Sequence, residues 1–249
     1  MFTEEQTQEL KRCKEDPVYF INNYVKFNHF KDGLSNFKLY EPQEKLINNY
    51  HNNRFNIVKA SRQIAGKSST AIYYILHHIL FEDSRTVGLF SHNINPSIHL
   101  LDLLKVAYEN LPEWLQQNIT VNNRQTLELE NGSKVIASSI SPYNLKGLDF
   151  SLMLLDEMGS TSYTRLQEFF ELAFPIIYSN KNTKVIITST KDYYEDGYFN
   201  KMWNDSEEGK NDFVRTKIKW SDIPGKNEEW KEKMIETLGI DVWNREFDI

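Results

Sequence analysis

The chain has 249 residues, of which 40% are hydrophobic, so it can bury the core of one sizeable domain. Its net charge of −6 argues against a protein that coats nucleic acid by bulk electrostatics, but it does not exclude a local basic patch. The lone cysteine, Cys13, excludes an internal disulfide and a multi-cysteine zinc site, and the six histidines lack metal-ligand spacing with a carboxylate. Neither a long apolar run nor a signal or transit pattern is present, so we expect a soluble, non-secreted protein with no membrane partner.

Helical patterns come first along the chain. Residues 4–27 alternate charged and apolar positions at helical spacing, and Asp16-Pro17 divides them into two short helices. After a turn-like stretch at 31–36, Pro42 occupies a tolerated first-turn position of another helix. We therefore expect a helical preface over about residues 1–36.

Strands and helices then alternate. Short apolar runs predict strands, and periodic segments between them predict helices. The predicted strands are 55–60, 86–91, 150–157, 183–190 and a more exposed one at 213–220. The predicted helices are 68–81, one starting near Asn95-Pro96, 164–177 and 227–239. Two alternating runs flank Asn131-Gly132 and predict a hairpin, either inserted or at an antiparallel edge. The alternation predicts an α/β fold with a mostly parallel central sheet.

The stretch SRQIAGKSS, residues 61–69, lies between the first of these strands and a long helix. Gly66, Lys67 and Ser68 match the second half of a phosphate loop, while Ser61 stands where that pattern has its first glycine. Backbone N–H groups at the helix start can hold a β-phosphate. Lys67 is then expected to neutralise β- and γ-phosphate charge, and the Ser68 hydroxyl to bind Mg²⁺. The alternative is a lysine in an ordinary surface turn.

The second candidate element is LMLLDE, residues 152–157, a buried strand that ends in two carboxylates. In a phosphate-loop fold we expect the strand beside the loop strand to end in an acidic residue that holds magnesium, and Asp156 fits that place. Glu157 can polarise the attacking water. The alternative is that both carboxylates cap the next helix or are solvated.

Several stretches together resemble a known family. They are ASRQ at 60–63, ENGSKV at 130–135, SPYNLKG at 141–147, LLDE at 154–157 and IITST at 186–190. In this order they resemble the ATPase domain of the large terminase subunit of tailed bacteriophages, over nearly the whole chain. The resemblance implies a P-loop NTPase of the RecA/ASCE-like type, a three-layer sandwich, with ATP and Mg²⁺ as cofactors. The family departs from the common loop at its first glycine, which accounts for Ser61, whereas Ala65 is an extra residue relative to many members.

The resemblance also implies roles for individual residues. Arg62 would sense or stabilise γ-phosphate charge, Tyr40 would stack on adenine, and the Gln43 amide would read the adenine edge. Lys146 stands where the family usually has an arginine that reaches a neighbouring subunit's ATP, and a lysine lacks the bidentate fork. Hydroxyls after the strand next to Asp156 would couple phosphate loss to domain movement; these are Thr188, Ser189 and Thr190. These roles have ordinary alternatives. Arg62 can be a surface arginine, Tyr40 and Gln43 can simply lie at the start of an amphipathic helix, and the hydroxyl residues can form a turn.

The expected site is therefore extensive. The expected nucleotide-binding residues are Tyr40, Gln43, Ser61, Arg62, Gln63, Ile64, Ala65, Gly66, Lys67, Ser68 and Ser69. The expected catalytic residues are Arg62, Lys67, Lys146 and Glu157, and the expected metal ligands are Ser68 and Asp156.

The resemblance implies a motor that drives double-stranded viral DNA into a procapsid, in the cytoplasm of the host cell. It implies a portal protein and a small terminase subunit as partners, and a homo-oligomeric ring on the portal from a chain that is monomeric in isolation. We expect a core over residues 1–198 and a small lid over 199–249, without the family's nuclease domain and its activity. Two alternatives stay open: a superfamily-two-type helicase or translocase, which needs a second RecA-like domain, and a nucleotide-gated binding module that does not hydrolyse ATP.

Overall fold

A computed structural model describes residues 2–29, 33–62, 66–145, 147–192 and 196–249. Its α-helices are α1 (Glu4–Glu15), α2 (Pro17–Tyr24), α3 (Glu41–Asn52), α4 (Lys67–Phe81), α5 (Ile94–Glu109), α6 (Tyr163–Ser179), α7 (Tyr198–Glu207), α8 (Glu228–Leu238) and α9 (Ile240–Glu246). Its strands are β1 (Lys26–His29), β2 (Gly33–Asn36), β3 (Phe55–Ala60), β4 (Thr86–Ser91), β5 (Ile119–Asn122), β6 (Thr126–Leu129), β7 (Lys134–Ser139), β8 (Leu152–Leu155), β9 (Lys184–Ser189) and β10 (Val214–Ile218). In this part of the chain, no helix combines the length and apolar character that crossing a membrane requires.

Eight strands form the central sheet, in the order β10-β3-β9-β8-β4-β7-β6-β5. The strands from β10 to β7 pair in parallel, and β6 and β5 continue the sheet antiparallel. The predicted α/β fold with a mostly parallel sheet is confirmed. The expectation that the strand ending at Asp156 lies beside the loop strand is wrong, because β9 lies between β3 and β8 and pairs with both.

Helices cover both faces of the sheet, which makes three layers. Side chains alternate between the faces along each strand. On β3, Val58 belongs to the core under α3, α4 and α5, whereas Ile57 belongs to the core under α6 and α7. On β8, Leu154 belongs to the first of these cores and Leu155 to the second. Burial on both faces explains why these strands read as nearly continuous apolar runs.

The helical preface forms as the sequence predicts. Asp16 separates α1 from α2, and its carboxylate accepts a hydrogen bond from the Tyr19 N–H at 2.9 Å. Pro17 occupies the first turn of α2, where its missing N–H costs nothing. The pair packs on α4, where a ring nitrogen of His77 lies 2.9 Å from the Cys13 carbonyl oxygen.

The Asn131-Gly132 hairpin is also confirmed, with β6 and β7 antiparallel. Gly132 has a φ of 79°, a conformation that favours glycine. The hairpin is part of the main sheet, since β7 pairs in parallel with β4 along its whole length.

The last fifty residues divide between the sheet and a small helical unit. Helix α7 packs in the core through Phe199 and Met202, and β10 pairs with β3. The residues that follow gather an aromatic cluster of Trp220, Trp230, Trp243 and Phe247, with ring centroids 5.2–6.0 Å apart. The division into a core and a lid at residue 199 stays a prediction.

Candidate functional site

The predicted phosphate loop leads from β3 into the N-terminus of α4. Gly66 precedes Lys67, the first residue of the helix, with a φ of 61°. The left-handed backbone favours glycine, and a Cβ on Gly66 would lie 2.7 Å from Nε2 of Gln43, so a larger residue would displace the end of that side chain. Gln63, Ile64 and Ala65, which were expected to bind nucleotide, lie outside the described residues.

Lys67 joins the loop to the end of β8. Its side chain is buried, and its Nζ lies 2.6 Å from Oε1 of Glu157. The adjacent helix start offers N–H groups and the positive end of the helix dipole. The predicted phosphate-binding lysine and the predicted catalytic glutamate therefore lie in direct contact.

Two hydroxyl groups meet the buried carboxylate of Asp156. Ser68 donates a hydrogen bond to Oδ1 at 2.8 Å, and Thr188 on β9 donates to the same oxygen. Burial raises the pKa of Asp156 and Glu157 raises it further, against the opposing effects of Lys67 and the two hydroxyl donors. A buried carboxylate whose charged form is disfavoured gains from a nearby cation. The oxygen donors of Ser68 and Asp156 suit the hard ion Mg²⁺, so the residues present fit the implied metal.

Glu157 has a strained backbone. Its φ of 52° and ψ of 44° place it in the left-handed region, which costs a non-glycine residue about 1 kcal/mol or more. Oε1 contacts Lys67, while Oε2 is buried and has no hydrogen-bond partner among the described residues. Strain that persists at a strand end and aims a carboxylate at the loop is characteristic of functional sites.

The hydroxyl stretch at the end of β9 packs against the same edge. Ser189 accepts a hydrogen bond from the Gly159 N–H at 3.0 Å. A Cβ on Gly159 would lie 2.8 Å from that hydroxyl oxygen, so the turn after Glu157 fits closely on β9. Thr188 thus connects Asp156 to β9, and Ser189 connects the turn after Glu157 to the same strand. Thr190 has a contact of only 3.5 Å, with the carbonyl oxygen of Lys191.

Gln43 and Tyr40 lie at the start of α3, beside the loop. Oε1 of Gln43 accepts from the Tyr40 N–H at 3.3 Å, which directs its amide nitrogen toward Gly66. Burial, aided by the charge of Asp222, raises the pKa of Tyr40 to about 12. The structure therefore brings Gln43 to the phosphate loop. It holds Tyr40 half-buried near Asp222, in the small C-terminal helical unit that carries the aromatic cluster.

The first two loop residues contact α9 and the residue after it. Ser61 donates a hydrogen bond to the Phe247 carbonyl oxygen at 2.7 Å, and the Arg62 N–H donates to the Glu246 carbonyl oxygen at 2.9 Å. The Arg62 guanidinium also forms an ion pair with the Glu246 carboxylate. The structure thus directs Arg62 to the C-terminal unit.

A cavity of about 250 Å³ opens between Gly66, Lys67, Ser68 and Glu157. Its other lining residues are Ser61, Ser69, His99, Leu100 and Leu103. No sequence signal indicated the contribution of α5 to this wall, because its residues there form part of an ordinary apolar helix. Lys146, expected to act on a neighbouring subunit, lies outside the described residues.

Solved structures show this fold in phage proteins. The chain is 15% identical to the HK97 bacteriophage large terminase, with a TM-score of 0.75, and the match covers 94% of this chain and 54% of that one. It is 16% identical to a mutant of the large terminase ATPase domain of Thermus phage P74-26, with a TM-score of 0.67 and coverage of 85% and 94%. It is 12% identical to the large terminase of a thermophilic bacteriophage in complex with ATP-gamma-S, with a TM-score of 0.60 and coverage of 83% and 51%.

A protein of a different functional class, a helicase, resembles this chain less closely. The UvsW helicase of bacteriophage T4 is 13% identical, with a TM-score of 0.51 and coverage of 82% of this chain and 67% of that one. No protein-family model matches the sequence. At these identities the likeness shows the fold, and the chain spans about half the length of the HK97 terminase.

Proposed function

We propose that this chain is the ATPase motor domain of a phage large terminase, which uses ATP hydrolysis to move double-stranded DNA into a procapsid. The observation that carries the proposal is the convergence of four side chains from two distant segments. Lys67 and Ser68 open α4, and they contact Glu157 and Asp156 respectively at the end of β8. The likeness to terminase ATPase folds supports the same function.

The nucleotide triphosphate would bind at the start of α4. The helix N–H groups and Lys67 would hold the β- and γ-phosphates. Mg²⁺ held by Ser68 and Asp156 would neutralise charge on the phosphate oxygens. The complex of the thermophilic phage terminase with ATP-gamma-S supports ATP as the nucleotide.

Glu157 would orient the attacking water and accept its proton as the oxygen attacks the γ-phosphorus and the bond to the ADP oxygen breaks. Among the described residues Oε2 has no hydrogen-bond partner, and this buried oxygen would have to become exposed to bind the water, while Lys67 holds Oε1. Thr188 links Asp156 to β9, so a change at the phosphates can reach the end of that strand. Arg62 and Lys146 complete the proposed catalytic set, the first within the loop and the second from a neighbouring subunit.

The proposed partners follow from the same assignment. They are double-stranded DNA, the portal protein and the small terminase subunit, with a homo-oligomeric ring assembled on the portal in the host cytoplasm. The net charge of −6 predicts weak, salt-sensitive DNA binding by the isolated domain.

Glu157→Gln tests the proposal. This variant should still bind ATP-γ-S and lose hydrolysis by about 10²-fold or more. Phosphate release with Mg²⁺, DNA and portal present measures the loss. A non-hydrolysing binding module would show no turnover in wild type under those conditions, which refutes the motor. A helicase would separate strands in the absence of portal, which a packaging motor would not.

A further inference from the structure

A second charged cavity lies at the amino-terminal edge of the sheet, away from the nucleotide site. Its volume is about 360 Å³. Four basic side chains line it, and Glu82 is the only carboxylate among its described lining residues. The basic residues are Arg54, Arg85, Lys181 and Lys184. In a chain with a net charge of −6, this is a local reversal of sign.

The fold assembles this cavity from the starts of neighbouring strands. Arg54 directly precedes β3, Lys184 begins β9, and Arg85 directly precedes β4. Parallel strands start at the same edge, so residues far apart in sequence come together there. Helices that cover a parallel sheet end at this edge, and their exposed carbonyl groups face it.

Two of the cations have no carboxylate partner within the described residues. Lys184 donates to the Tyr50, His51 and Asn53 carbonyl oxygens at 2.8–3.3 Å. Arg54 donates to carbonyl oxygens at the end of α6, including that of Asn180 at 2.8 Å. Carbonyl dipoles at a helix end supply only about half an elementary charge, so these contacts leave positive charge uncompensated.

The other two cations lie toward solvent. Arg85 forms an ion pair with Glu82 at 2.7 Å, and its side chain is 36% exposed. Lys181 is exposed. Burial lowers the pKa of Lys184, against the opposing effect of Glu82. The cavity therefore has an inner pair of fixed cations and an outer pair that can reach a bound anion.

We propose that this cavity is a binding site for a phosphate group of a nucleic-acid backbone. Guanidinium and ammonium groups are the usual partners of phosphate oxygens, and such contacts carry no sequence information. The choice of nucleic acid as the source rests on the proposed function. The site lies at the opposite end of β9 from Thr188, about 13 Å along the strand, so DNA and ATP bind at separate places.

Charge variants with opposite expected effects test the site. Fluorescence anisotropy of a labelled 20-base-pair duplex is measured without nucleotide over a salt series. Lys181→Gln should weaken binding by roughly three- to tenfold at low salt and lower the slope of log K against log salt by about 1. Glu82→Gln should strengthen binding, because it removes the carboxylate from the cavity. The matched control Lys233→Gln, an exposed lysine on α8, should change neither quantity.

Further measurements separate the competing sources of phosphate. Saturating ATP-γ-S should not displace a duplex that binds in the basic cavity. It would displace a duplex whose phosphates bind at the phosphate loop. Calorimetric titration with inorganic phosphate gives the free-ion comparison. The expected pattern is weaker binding by Lys181→Gln and stronger binding by Glu82→Gln. If only inorganic phosphate binding follows this pattern, the assignment to nucleic acid is wrong. If neither ligand follows it, the cavity is not a phosphate-binding site. Thermal melting confirms that each variant is folded. Failure of ATP hydrolysis in wild type would refute the motor without altering this binding pattern.

Discussion

The guanidinium of Arg62 forms an ion pair with the carboxylate of Glu246, and the backbone N–H of Arg62 donates to the Glu246 carbonyl oxygen. These contacts join the phosphate loop to α9. Glu246 also lies 2.8 Å from Nε of Arg245, so one carboxylate serves two arginines. If Arg62 meets the γ-phosphate, as the proposed function requires, it must leave this partner, so the ion pair would compete with ATP.

Glu246→Gln should raise affinity for ATP-γ-S by about two- to fivefold, in line with the energy of a partly exposed ion pair, because it frees Arg62. Affinity for ADP, which has no γ-phosphate, should not change. Tryptophan fluorescence from the cluster around Trp243 can report binding, with Glu236→Gln, an exposed glutamate on α8, as the matched control. Equal shifts for both nucleotides would contradict the competition.

Gly66→Ala should abolish tight ATP binding and destabilise the fold. A left-handed backbone costs alanine about 1–2 kcal/mol, and its Cβ would lie 2.7 Å from Gln43 Nε2. Gly209→Ala is the control, since Gly209 has a φ of 70° with open space around it and bears the backbone cost alone. Urea unfolding and ATP-γ-S titration measure both effects. If the two variants lost equal stability and both bound nucleotide, the close approach to Gln43 would have no role.

Asp156→Asn should abolish hydrolysis yet raise the melting temperature at pH 7.5 in the absence of metal. The folded-state pKa of Asp156 lies above its ordinary value of 3.8. Its contribution to stability is therefore complete below that ordinary value and is lost as pH rises through the folded-state pKa. At pH 7.5, above the ordinary value, the raised pKa of this carboxyl opposes folding, and each kcal/mol relieved raises the melting temperature by about 2–4 °C.

The gain in melting temperature should shrink as the pH falls below the folded-state pKa of Asp156 and should vanish toward the ordinary value of 3.8. Differential scanning calorimetry in EDTA measures it, with Asp102→Asn, an exposed aspartate on α5, as the control. A lower melting temperature for Asp156→Asn at pH 7.5 would contradict the electrostatic account.

Thr188→Val should lower kcat by roughly tenfold, because Asp156 loses one of its two hydroxyl donors. The size of the effect follows from the energy of a hydrogen bond to a charged group, about 1.5–3 kcal/mol. Nucleotide affinity without metal should change little. Thr190→Val is the matched control, since its hydroxyl has only a 3.5 Å contact. Steady-state kinetics over a Mg²⁺ series measure the effect, and equal losses in both variants would refute a specific role for Thr188.

The local parts of this protein are predictable from its sequence. The apolar run of β3, the glycine before Lys67 and the periodic helix α4 predict strand, loop and helix, because side-chain period and turn chemistry act within a few residues. The same reasoning found β8 with Asp156 and Glu157 at its end. Residues that chemistry requires at fixed spacing are therefore readable from the chain alone.

How these parts meet depends on the packing of the whole fold. That packing placed β9 between β3 and β8, gave Glu157 its left-handed backbone, and paired Arg62 with Glu246 from the far end of the chain. It also gathered the starts of three strands into one basic cavity. Strand order and distant ion pairs depend on how whole layers pack, and no pattern within a short window of sequence encodes that packing.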